Sequence, residues 1–156
     1  MKNIKKIATI ALVATTFCTA GAAFAGPPVT VTFKNLGTQE ATFKMVTTNE
    51  FSSYGNSTPK PKTTVLPQST DIFIVQSKII ADANAAIIRY TMGSKTCEFS
   101  TTFLNQFIGG GLIPGARSKV PKWSKNAISS NGAICTATLK YQSVIDFSWA
   151  AEFTMK

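Results

Sequence analysis

The chain has 156 residues, with 16 Lys+Arg against 7 Asp+Glu for a formal charge of +9, three cysteines and no histidine. The absence of histidine excludes Ser-His-Asp and Cys-His nucleophilic catalysis and histidine-based zinc sites. A hydrophobic share of 44% beside 15% charged residues excludes a disordered chain, because there is enough apolar surface to offset chain entropy, and the length suits one domain.

Lys2, Lys5 and Lys6, followed by the apolar run from Ile7 to Phe17, read as a secretory signal peptide over residues 1–25. Ala23-Phe24-Ala25 fits the small-x-small rule and Gly26-Pro27-Pro28 cannot continue a helix, so cleavage is expected after Ala25. The apolar run is shorter than the roughly 20 residues that span a bilayer. Cys18 follows the bulky Phe17, a poor fit for lipoprotein processing, and is expected to leave with the signal. The mature domain, residues 26–156, loses three lysines and no acid, so its charge falls from +9 to +6. A secreted or periplasmic location follows.

Val29, Val31 and Phe33 alternate with polar residues up to Asn35-Leu36-Gly37, and Ala41, Phe43 and Met45 repeat the pattern. These predict two strands, joined as an antiparallel hairpin or as a corner between two sheets. Phe51 to Pro61, rich in turn formers, reads as a loop. Short β-rich runs follow at Thr63–Leu66, Asp71–Gln76, Ala86–Met92 and Thr96–Phe103, with Ser77–Asn84 open between a helical turn and none. Gly109-Gly110-Gly111 reads as a loop tip. Ala133–Leu139 and Ser143–Met155 complete the strands. In the last of these, Ile145, Phe147, Trp149, Ala151, Phe153 and Met155 share one face, and Asp146, Ser148, Glu152 and Thr154 share the other. Without a long amphipathic helix or a repeat, the expectation is an all-β, single-domain antiparallel β-sandwich.

Cys97 and Cys135 are the two cysteines left after export, and in an oxidising compartment they are expected to form one disulfide. It would join neighbouring strands or staple the two sheets, and would stabilise by roughly 4 kcal/mol on the chain-entropy model. Their spacing is not C-x-x-C, which argues against a redox or metal pair.

No G-x-S-x-G, EF-hand or P-loop element is present, and most of the seven carboxylates fall on polar strand faces or in loops. A binding protein without enzymatic activity or cofactor is therefore expected, with a hydrolase using paired carboxylates as one alternative. The candidate surface is the loop 107–125, in which Phe107, Ile108, Leu112 and Ile113 flank the glycines and Arg117, Lys119, Lys122, Trp123 and Lys125 follow. Apolar side chains beside cations and an amphipathic indole are what contact with an anionic membrane surface or envelope glycan needs. The plainer reading has the apolar residues closing the sandwich and the lysines serving solubility. Export argues against nucleic acid as the partner. A second alternative is self-association as a fimbrial-type structural subunit, whose fold a neighbour's strand completes.

Overall fold

The computed structural model describes residues 25–108 and 118–156. The expected signal segment, apart from Ala25, lies outside them. Ten strands form two five-stranded sheets packed face to face: β1 (Val29–Asn35), β2 (Ala41–Lys44), β3 (Ser57–Thr58), β4 (Thr64–Val65), β5 (Thr70–Val75), β6 (Ala83–Met92), β7 (Lys95–Ile108), β8 (Ser118–Ser130), β9 (Cys135–Gln142) and β10 (Trp149–Met155). One sheet runs β3-β5-β1-β10-β9 and the other β4-β2-β6-β7-β8. The all-β sandwich is thus the observed fold. β1 and β2 lie in different sheets, so of the two expected connections it is the corner that forms.

Within this largely antiparallel arrangement, β1 and β10 pair in parallel along their whole length, from Val29 opposite Trp149 to Asn35 opposite Met155. The first and last of the described strands therefore lie side by side at the heart of one sheet. Their strict alternation is what permits it: Val29, Val31 and Phe33 face the core beside Trp149, Ala151, Phe153 and Met155, all fully buried. Opposing them from the other sheet are Ile88, Tyr90, Phe99 and Phe103. The rings of Phe99 and Phe153 stack with centroids 4.9 Å apart, and the Trp149 indole donates to Thr101 Oγ1 at 2.8 Å, so a buried polar pair also bridges the sheets.

Cys97 on β7 and Cys135 at the start of β9 form the expected disulfide, with Cα atoms 5.7 Å apart. Because β7 and β9 belong to different sheets, the bond is a staple between them.

Three expectations are corrected. The first half of the loop over Phe51–Pro61 is helix α1 (Thr48–Gly55). Thr47 and Glu50 form a capping box, which satisfies the helix's first N–H groups. Glu50 does more: its buried carboxylate also accepts from the Val46 N–H and from Arg89 Nε at 2.8 Å, while Arg89 reaches Glu98 at 2.7 Å. Burial acts to raise the Glu50 carboxyl, but the N–H groups of Thr47 and Val46 and the Arg89 guanidinium outweigh it and hold the group below its ordinary range.

The second correction is at Ser143–Ser148, which turns instead of extending. Ser143 Oγ accepts from the N–H groups of Ile145 and Asp146, and Asp146 Oδ1 accepts from Ser148 N–H and O–H. Such local bonds compete with a ladder, and they hold Phe147 at φ 60°. Ile145, expected on the core face, is instead exposed. The third is β8: much of the expected 107–125 loop is strand, as the next subsection describes.

Candidate interaction surface

β6 pairs with β7 only as far as Ala83 opposite Leu104, whereas β7 and β8 stay paired to Ile108 opposite Ser118. The last four residues of β7 and the first four of β8 therefore run beyond the sheet as a two-stranded arm. Its base is tied to the residue before β6: Asn105 N–H donates to the Asp82 carbonyl at 2.8 Å, and the Asp82 carboxylate receives Asn105 Nδ2 at 3.2 Å and the Lys119 ammonium. The Lys119 hydrogen bond, helped by Asn105 against a small desolvation cost, holds Asp82 below the ordinary carboxylate range. The same ammonium lies 5.0 Å from the centroid of the Phe107 ring.

The expected surface residues separate into groups. Phe107 and Lys119 are exposed together on the arm, and Lys122 is exposed on the outer face of β8. Ile108 ends β7. Leu112, Ile113 and Arg117 lie outside the described residues. Trp123 is not a free anchor: it is half-buried against Phe103 and Phe147, and its Nε1 donates to the Phe147 carbonyl at 3.3 Å. Lys125 crosses between the open edges of the two sheets, donating to the Ala137 carbonyl of β9 at 2.7 Å. Both residues therefore help close the sandwich. Pro121 and the three lysines of β8 are what a protected edge strand carries, since β8 ends its sheet.

Two turns that the sequence reading did not assign to the candidate surface lie at the same end of the molecule. The register sets Val29 between Trp149 and Val75, so the turn before β10 and the turn after β5 emerge together. The contact of Trp123 with Phe147, and that of Asn105 with Asp82, bring both beside the arm. Their tips carry bare apolar side chains: Ile145 is 92% exposed, Ile79 86% and Val144 74%, alongside Phe107 at 60%. Exposed Lys78 precedes Ile79. Serine-aspartate spacing at 143–148 was the available sign of a turn, but the apolar alternation around it pointed the other way.

Of the remaining carboxylates, two are bonded within the fold and Glu40 is exposed. Glu152 pairs with Lys34 at 2.7 Å, and Asp71 accepts from Lys62 N–H at 2.8 Å. Among the described residues no helix is long and apolar enough to cross a membrane, and no cluster of three His, Cys, Asp or Glu side chains is present. No protein-family model matches the chain, and comparison with curated proteins finds no match.

Proposed function

We propose that this is an exported binding protein without enzymatic activity, which contacts an anionic membrane surface with the arm end of its sandwich. The observation that carries this reading is the gathering of Ile145, Ile79, Val144 and Phe107, the first three among the barest large apolar side chains described, at one end beside Lys78, Lys119 and Lys122. A folded protein leaves such side chains in water at a cost, and a headgroup region accepts them while anionic lipids attract the cations. The surface is thereby broader than the 107–125 segment alone. Gly26, the first residue after the expected cleavage point, is bonded to Ser77 at this same end, so cleavage there would add an ammonium group to it.

Sedimentation with phosphatidylglycerol vesicles across a salt series tests the proposal. The protein is expected to bind, and binding to weaken as salt rises. Ile79→Ser with Ile145→Ser should reduce binding at every salt concentration. Lys78→Glu with Lys122→Glu should cost about tenfold or more at low salt, from roughly 1 kcal/mol per lost cation. Equal binding by both double variants would sink the proposal. So would binding to an anionic envelope glycan that the isoleucine changes leave untouched, which would favour the glycan over the bilayer.

A further inference from the structure

A second feature lies next to the base of the arm. Helix α1, the 77–84 segment and the strands β6 and β7 enclose a cleft of about 360 Å³. None of the residues lining it is charged. We propose that this cleft binds a neutral saccharide.

One wall is the face of α1 carrying Asn49, Ser52 and Asn56, at i, i+3 and i+7, whose side chains make no hydrogen bond to the described residues. The rest of the lining sets the half-exposed Ile80 and Leu104 beside Ser77 and Thr102. A carboxamide offers both donors and an acceptor, which matches vicinal hydroxyls that each donate and accept. The C–H face of a sugar ring suits the isoleucine and leucine. A charged ligand would find no counter-charge here, and an acyl chain would strip water from Asn49 and Asn56 without replacing their hydrogen bonds. The volume lies near the lower end of the roughly 300–1,000 Å³ typical of ligand sites, enough for about one or two rings.

The cleft is held open by bonds that do not involve these free groups. β2 pairs with β6 only between Arg89 and Thr91, and α1 takes over the edge below: Ser53 Oγ accepts the Ile87 N–H at 2.9 Å, and Glu50 holds Arg89. On the far side, buried Asn84 accepts from Ser77 N–H and donates to the carbonyls of Val75 and Pro27. Both walls are thus fixed before any ligand arrives, so little ordering entropy opposes binding.

Nuclear magnetic resonance titration of the isotope-labelled protein with maltose, lactose and N,N′-diacetylchitobiose decides the matter. At least one is expected to shift the side-chain amide signals of Asn49 and Asn56 at millimolar concentration. Asn49→Ala with Asn56→Ala should weaken that binding about tenfold, as the loss of one or two hydrogen bonds would. Leu104→Ser, on the other wall, should weaken it while leaving the amide signals in place. Phosphatidylcholine vesicles with and without a neutral glycosyl diacylglycerol separate a lipid headgroup from a free sugar, and binding to either supports the site. Ile79→Ser with Ile145→Ser should leave the sugar titration unchanged, which separates this site from the membrane proposal. Absence of shifts at these residues with all three sugars and with the glycolipid vesicles would overturn it, as would equal shifts with glycerol.

Discussion

The two ends of this sandwich are built in opposite ways. At one end the chain is cross-tied: the disulfide joins the sheets, Ile134 and Lys156 exchange both backbone hydrogen bonds at 2.9 Å, and Asn131 Nδ2 reaches the Ser94 carbonyl. Asn35, fully buried there, bonds through its side chain to the carbonyls of Gln39 and Val65 and to the Gly37 N–H. At the other end the turns are equally well bonded within themselves, yet what they project into solvent is isoleucine, valine and phenylalanine. The first end spends side chains on tying the fold together, though Ile134 is 60% exposed there, and on the proposed function the second end presents its side chains to a membrane. On that proposal stability and contact lie at different ends, and each can be changed without the other.

The strongest way to break the contrast is at the staple. Replacing Cys97 and Cys135 together by alanine should cost about 4 kcal/mol, because the bond closes residues separated by 38 positions. Urea denaturation should show it as a lower midpoint with vesicle binding retained wherever the protein is still folded.

Next in size is Glu50→Gln, which weakens the charged bonds to Arg89 and the helix start and should cost about 2 kcal/mol at neutral pH. Its pH dependence has a definite sign. Since the folded carboxyl lies below its ordinary range, the stabilisation is present above that range and is lost as pH falls through the folded value. Thermal melts of the wild type should therefore decline more steeply on acidification than those of Glu50→Gln, and parallel curves would refute the assignment.

Smallest is Tyr90→Phe. The Tyr90 hydroxyl is buried and has no hydrogen-bond partner among the described residues, and burial, with the Asp71 carboxylate adding to it, pushes the phenol well above its ordinary value. Removing an unsatisfied hydroxyl should leave stability unchanged or raise it by about 1 kcal/mol. A clear loss in a denaturation curve would mean that the group has a partner after all. The serine changes at Ile79 and Ile145 belong at the same end of the scale, within about 0.5 kcal/mol, because those side chains touch little that the fold needs.

Local alternation was enough to read the all-β class, the strands around Phe33, Phe73, Phe99 and Phe153, and the disulfide, because a period of two and an even cysteine count are properties of neighbouring residues and of the compartment. It misled where local side-chain bonds overrode hydrophobic pattern, as at Ser143 and Asp146. The capping box at Thr47 and Glu50 was legible but was masked by the turn formers that follow it. At β8 the cations after a glycine run read as a loop, and only its position at the edge of a sheet gives them another meaning.

Which of two connections joins β1 to β2, the parallel pairing of first and last strands, and the placing of Trp123 as a closing residue were tertiary decisions. So was the convergence of Ile79, Ile145 and Phe107, residues far apart in the chain, because the sequence specifies which faces must be buried but the packing of two sheets decides which turns share an end.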